Sequence, residues 1–184
     1  TYVIEFQKRG LPHAHFLIIL KPNSKLYSPD SYDQIVSAEL PNKGTQKHLF
    51  KMVRKHMMHG PCGSKNPNNV CMQGKKVRFC KNKYPKQWAD STTHGQNAYP
   101  IYRRRNDGKA VHVRGQQLDN RWVVPYNPYL LAKFNCHINV EICSTIKVVK
   151  YMFKYIFKGH DKIHFRLNSD TTEQYIDEIK EYQT

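Results

Sequence analysis

Residues 2–20 read YVIEFQKRGLPHAHFLIIL. Residues 2–7 and 12–20, set around the turn Lys8-Arg9-Gly10, predict two antiparallel strands of a hairpin. Pro12 is compatible with the first position of a strand. Side chains alternate faces along a strand, so His13 and His15 project from one face. Glu5 and Gln7 share parity on the partner strand and can face the same way. Two imidazoles with one carboxylate or amide oxygen form a ligand set for a divalent ion with coordination positions left open, as catalysis requires. By itself H-x-H is a weak motif, and its meaning depends on what the rest of the chain brings to it.

Outward from this hairpin, residues 31–40 predict a short helix ended by Pro41. A second helix is predicted from Thr45, with apolar residues at 49, 50, 53 and 57 and a stop at Gly60. Residues 99–124 predict strands broken at Asn106-Asp107-Gly108, a hairpin signal. Residues 135–143 (NCHINVEIC) alternate, which sets Cys136, Ile138, Val140 and Ile142 on one face of a further strand. The mixture predicts an α+β fold on a central antiparallel sheet with packed helices. Four segments follow: residues 1–60 with the hairpin and helices, an irregular insertion over 61–98, the remaining strands and last helix over 99–160, and an acidic tail over 161–184.

The charge narrows the partner. The 184 residues carry 30 Lys+Arg against 14 Asp+Glu, a net charge of +16. The imbalance sits in residues 1–160, which hold 27 bases and 8 acids. A body this basic, interleaved with aromatic residues, points to a polyanion, with nucleic acid the default. No apolar run approaches the ~20 residues of a membrane span. Without an initiating Met or a signal peptide, the chain reads as a segment of something longer.

The last predicted helix, STIKVVKYMFKYIFKG from Ser144 to Gly159, carries a second constellation. At ~100° per residue, Ile146, Met152, Phe153 and Ile156 cluster within about 60° of Val149, forming a buried stripe. Tyr151 and Tyr155 fall one turn apart on a different face, beside an arc of Lys147, Lys150, Lys154 and Lys158. On the plain reading, tyrosine rings pack while lysines meet water. On the chemical reading, the lysines hold phosphates while a phenol attacks one. A tyrosine with its ordinary pKa near ~10 then needs positive charge or a polarised electrophile.

The sequence resembles a known family at these two places. EFQKRGLPHAH followed by KYMFKYIFKGHD is similar to the Rep endonuclease domain of Helitron rolling-circle transposons, a two-tyrosine branch of the HUH nucleases. HMMHGPCG, YRRRNDG and NPYLLAKFNCHINVEIC also resemble that family, so the likeness covers most of the chain. The resemblance implies that His13 and His15 are the metal-binding pair, that Tyr151 and Tyr155 are the nucleophiles, and that the metal is Mg²⁺ or Mn²⁺. The seven-residue gap from Glu5 to His13 is similar to that of geminivirus-type initiators and favours Glu5 as third ligand, with Gln7 the alternative. It further implies an RRM-like sheet with the tyrosine helix laid across it, a single-stranded DNA substrate at a transposon end, a helicase domain downstream in a longer chain, and action in the nucleus.

The insertion holds three of the five cysteines. His59, Cys62, Cys71 and Cys80 follow the pattern H-x2-C-x8-C-x8-C. Four such donors suit a tetrahedral structural Zn²⁺, which would order a long stretch lacking periodicity. His56 is an alternative to His59, and Cys136 or Cys143 can enter by folding back; reduced, unliganded thiols are the plain reading. Arg103, Arg104 and Arg105, beside Tyr99 and Tyr102, are candidates for gripping DNA phosphates, although such a run is often a solvated face. Trp88 and Trp122 serve either as base platforms or as core. The expected activity is metal-dependent single-stranded DNA cleavage and strand transfer through tyrosine. Its rivals are a non-catalytic, zinc-stapled nucleic-acid-binding module and a zinc hydrolase built on His13 and His15.

Overall fold

The computed structural model describes residues 1–6, 12–95 and 99–143. Gln7 and the predicted helix with Tyr151, Tyr155 and its four lysines lie outside the described residues, as does the acidic tail. The described part is mixed α+β, with three short helices and three two-stranded antiparallel sheets. Residues 1–25 belong to one compact unit and residues 26–143 to a second. No described helix is long and apolar enough to cross a membrane.

In the first unit, β1 (Tyr2–Phe6) pairs with β2 (Pro12–Phe16) in the register Tyr2↔Phe16, Val3↔His15, Ile4↔Ala14, Glu5↔His13 and Phe6↔Pro12. Cross-strand partners share a face, so Val3, Glu5, His13 and His15 stand on one side and Tyr2, Ile4, Phe6, Ala14 and Phe16 on the other. Tyr2 and Phe16 close the apolar side, their rings 5.9 Å apart. The second strand is shorter than residues 12–20 predicted. Leu17 still donates to the Thr1 carbonyl, while Ile18 and Ile19, outside the ladder, are 72% and 80% exposed.

The second unit opens with α1 (Pro29–Ile35), whose cap is Ser28: its hydroxyl accepts from the Ser31 amide, and proline occupies the first turn. The helix stops earlier than the expected residue 40. Val36 is extended, Ser37 pairs with Tyr126, and Val36, Ala38 and Leu40 are buried as a run. Helix α2 (Lys47–His56) begins two residues after Thr45, because the Asn42 side chain takes the Gly44 and Thr45 amides in a turn. Its apolar stripe is the predicted one: Val53 and Met57 are buried with Leu40, Val111, Val123, Tyr126 and Leu131, and Leu49 and Phe50 pack against them.

Further elements differ from the sequence reading. The hairpin β5 (Ala110–Val113) and β6 (Gln116–Asp119) turns at Arg114-Gly115, both with positive φ, rather than at Asn106-Asp107-Gly108. The latter segment is a separate turn in which Asp107 accepts from the Lys109 amide and the Asn120 side chain. Residues 135–143 form no strand. They follow α3 (Pro128–Phe134), capped by the Asn127 side chain and ended by Asn135 in the left-handed region. The alternation there has a partial counterpart in packing, since Val140 and Ile142 lie against Val36, Ala38 and Tyr102 while Cys136 is exposed. The insertion contains one more small ladder, β3 (Met72–Gln73) with β4 (Phe79–Cys80).

Arg104 ties these segments together. It is 4% exposed, and its guanidinium donates to the carbonyls of Ala38, Asn120 and Val123 at 3.2, 2.7 and 2.7 Å. Asn120 adds a second knot, accepting from the Leu40 amide and donating to the Arg105 carbonyl, both at 2.8 Å.

Candidate metal centres

The cysteine cluster is built where α2 ends. The chain leaves the helix at Met57, and the His59 amide donates to the Trp122 carbonyl, which anchors the next turn beside a core of Cys62, Cys71, Met72, Cys80, Leu118 and Trp122. Cys62 lies two residues beyond Gly60, while Cys80 ends β4 and sits in register with Met72, next to Cys71. The short ladder thus brings two thiols from opposite strands to one point. The donor atoms of His59, Cys62, Cys71 and Cys80 all lie within 4.8 Å of one another, and all three cysteines are buried. Among the described residues this is the group whose metal-binding atoms converge.

The distances fit a tetrahedral ion. His59 Nε2 is 3.6 Å from Cys62 Sγ and 3.4 Å from Cys80 Sγ. With Zn–S near ~2.3 Å and Zn–N near ~2.0–2.1 Å, the N–S edge of a tetrahedron is about 3.6 Å. The ring is oriented by packing: it stacks on Tyr84 with centroids 4.1 Å apart and lies nearly parallel to Trp122 at 6.4 Å. Trp122 is accordingly core.

Electrostatics favour a cation here. Burial, with the charges of Lys86 and Arg114, pushes His59 down to about 4, which keeps the imidazole neutral and ready to donate its lone pair. Burial and the neighbouring thiols push Cys62 up to about 12, and burial raises Cys71 as well. At Cys80 burial also pushes upward, but backbone amides of Tyr84 and Asn82 outweigh it and hold the thiol below its ordinary range. Three clustered thiolates repel one another, and a divalent cation is the species that relieves this. The donor set therefore fits Zn²⁺.

The alternatives considered from sequence go elsewhere. His56 points its Nε2 to the Asn135 side chain at 2.9 Å, and its carbonyl is 2.7 Å from His137 Nδ1. Cys136 and Cys143 are exposed and lie outside the cluster.

The histidine pair on β2 is a looser arrangement. His15 Nε2 lies 3.2 Å from the Glu5 carboxylate, both groups being largely shielded from solvent. His13 stands directly opposite Glu5 in register, with its ring centroid 6.3 Å from that of His15. Ligands bound in octahedral geometry at ~2.1 Å stand about 3 Å apart, so the Glu5–His15 pair matches one edge of such a shell. Glu5, His13 and His15 are not among the described groups whose donor atoms converge.

The arginine run is engaged internally. Arg104 is buried with its Nη1 committed to three carbonyls, so it is not placed to grip a phosphate as the sequence suggested. Arg105 forms a two-pronged pair with Glu39 at 2.9 and 2.6 Å, while Arg103 reaches Asp33 at 3.2 Å and Glu39 at 3.5 Å. Burial pushes the Glu39 carboxyl upward, but hydrogen bonds and charge from Arg105, with Arg103 behind them, hold it below the usual carboxylate range. Sequence reasoning missed the acids that meet these arginines, because Asp33 and Glu39 lie more than sixty residues away.

Comparison with protein-family models and with curated proteins finds no match.

Proposed function

We propose that this chain is a metal-dependent single-stranded DNA endonuclease and strand transferase of the HUH type, acting in rolling-circle transposition as the Helitron resemblance implies. The observation that carries the reading is the Glu5 carboxylate 3.2 Å from the His15 imidazole, on the hairpin face that also bears His13. His13, His15 and Glu5 would hold Mg²⁺ or Mn²⁺, with Gln7 the alternative third ligand. When bound, the ion withdraws charge from the scissile phosphate.

The chain's own groups do the rest. The hydroxyl of Tyr151 or Tyr155 attacks phosphorus, the bond to the 3′ oxygen breaks, and the phenolic proton leaves with that oxygen. The products are a 5′-phosphotyrosine and a free 3′-hydroxyl, and reversal by a 3′-hydroxyl rejoins the strand. Lys147, Lys150, Lys154 and Lys158 hold the backbone beside the nucleophile. The finer fold belongs to the same proposal: an RRM-like sheet to which β1 and β2 contribute, with the tyrosine helix across it. So do the nuclear setting and a helicase domain downstream.

The test is incubation with labelled single-stranded DNA and Mg²⁺ or Mn²⁺, scored for a covalent protein–DNA adduct. Adduct is expected with the unaltered chain and lost in His13→Ala and in the double variant Tyr151→Phe, Tyr155→Phe. An adduct that survives the double tyrosine change sinks the mechanism. Cleavage that needs His13 but neither tyrosine would indicate hydrolysis.

A second reading has its own observation. The His59/Cys62/Cys71/Cys80 donors converge completely, whereas His13, Glu5 and His15 do so in part. A non-catalytic, zinc-stapled nucleic-acid-binding module needs only the former, and it predicts DNA binding with no adduct on any substrate.

A further inference from the structure

We infer that the tip of the β3–β4 hairpin, residues 73–79, is a contact surface for single-stranded nucleic acid, held out from the protein by the His/Cys₃ centre. The inference rests on the nucleic-acid part of the proposed function and not on cleavage. Residues 61–89 contain seven bases (Lys65, Lys75, Lys76, Arg78, Lys81, Lys83, Lys86) and no acid. Every residue from Gln73 to Phe79 is exposed, so Lys75, Lys76 and Arg78 crowd one short turn. Elsewhere the prominent arginines are neutralised by Asp33, Glu39 and Asp119. At this tip Arg78 donates to a neutral group, the Asn68 amide oxygen, at 3.2 Å.

An exposed aromatic ring accompanies the charge. Phe79 is 57% exposed and Val77 78%, a poor use of apolar surface for a solvated face. The turn is also tightly built. Gly74 has φ +96°, and a Cβ there would meet the Val77 carbonyl oxygen at 2.1 Å and approach the Phe79 ring at 3.4 Å. The ring is therefore seated against the turn that carries the lysines. Cations beside an open aromatic face are the recognition set for a strand whose bases are unstacked: the charges follow phosphates, and the ring stacks on a base of any identity. Duplex nucleic acid offers phosphates but no free base face.

A ladder of two residues per strand cannot hold such a tip by itself. Cys71 precedes β3 and Cys80 ends β4, so both legs of the hairpin are pinned at the metal-binding cluster.

The test uses the whole chain loaded with Zn²⁺ and a fluorescent oligodeoxythymidine, with affinity measured against salt in the absence of other divalent ions. The triple variant Lys75→Gln, Lys76→Gln, Arg78→Gln should bind roughly 100-fold more weakly at 0.1 M salt, with the salt slope reduced by about 2, at ~0.7 per lost phosphate contact on a single strand. Phe79→Ala should weaken binding about ten-fold with the slope unchanged, and Phe79→Trp should restore it. Zinc content is measured on each variant, and Phe79→Trp separates a lost stack from a lost fold. Triple-variant binding with wild-type affinity and slope overturns the inference. So does a variant that keeps DNA binding while losing attachment to phosphatidylserine vesicles. Adduct formation is scored on the same samples: binding through the tip without an adduct retains the inference and sinks the nuclease, and an adduct with an indifferent tip does the reverse.

Discussion

The His59 imidazole Nε2 lies 3.4 Å from Cys80 Sγ, 21 residues further along the chain. That separation matches an edge of a zinc tetrahedron, and Cys62 and Cys71 complete a donor set within 4.8 Å that could hold the ion. The purified chain should therefore carry one equivalent of zinc, measurable by metal analysis after dialysis. Cys71→Ser or Cys80→Ser should abolish it. An ion present at about 1,000 times its dissociation constant stabilises the folded state by ~4 kcal/mol. Loss of that contribution lowers the melting temperature by roughly 8–16 °C for a chain of this size. A metal-free wild type with the same melting temperature would refute the site.

That quartet was legible in the sequence because its donors are regularly spaced in a stretch with no other reason to be ordered. The choice of His59 over His56 was not, since both sit near the end of α2. It depends on where the helix stops and on the Tyr84 and Trp122 rings that orient His59. Alternation alone allowed Glu5 and Gln7 to share the histidine face, while the register that sets Glu5 opposite His13 is read from the structure. Helix α3 did not: its signals are Asn127 as cap and Pro128 in the first turn, both local and easily overlooked beside the alternating stretch that follows. Asn106-Asp107-Gly108 advertises a hairpin turn more strongly than Arg114-Gly115 does. The weaker signal prevails because Asp107 is held by the Asn120 side chain and Val111 and Leu118 find their cores only in the later register. The burial of Arg104 and the pairing of its neighbours with Asp33 and Glu39 escaped the sequence reading for the same non-local reason.

Glu5 and Gln7 make different predictions about the proposed nuclease. Glu5 already stands at ligand-edge distance from His15. Glu5→Ala should cut the rate of adduct formation roughly 100-fold, the scale of losing a correctly held ion worth several kcal/mol. The defect should ease as Mn²⁺ is raised. Gln7→Ala should leave the rate within a few-fold of wild type. Rate measurements across a metal titration check both, and the reverse ranking would move the third ligand to Gln7.

Arg104 should behave as a structural residue. Its Nη1 serves three carbonyls from the segments around Ala38, Asn120 and Val123, and a flexible lysine ammonium is not held at that point by a rigid guanidinium plane. Arg104→Lys should destabilise the fold by about 2–3 kcal/mol, because buried acceptors lose their donors. In urea the midpoint should fall while the slope stays constant. A variant with unchanged stability and weakened DNA binding would return Arg104 to the role first read from the sequence.

Glu141 gives the fold a pH dependence. Burial pushes its carboxyl up to about 7, against opposing pulls from a Tyr102 hydrogen bond, the charges of Arg104 and Lys86, and a hydrogen bond with Asn139. In the unfolded chain the same group titrates near 4.5. Between those values the folded protein holds a proton that the unfolded chain has released. Its contribution is thus full below about 4.5 and is lost as pH rises to about 7. At ~1.4 kcal/mol per pKa unit the swing is on the order of 3 kcal/mol. Glu141→Gln mimics the protonated form and should flatten this segment of the stability curve. The variant should exceed the wild type in urea midpoint at pH 8 and converge with it at pH 5. Parallel curves for the two proteins across that range would place the titration elsewhere.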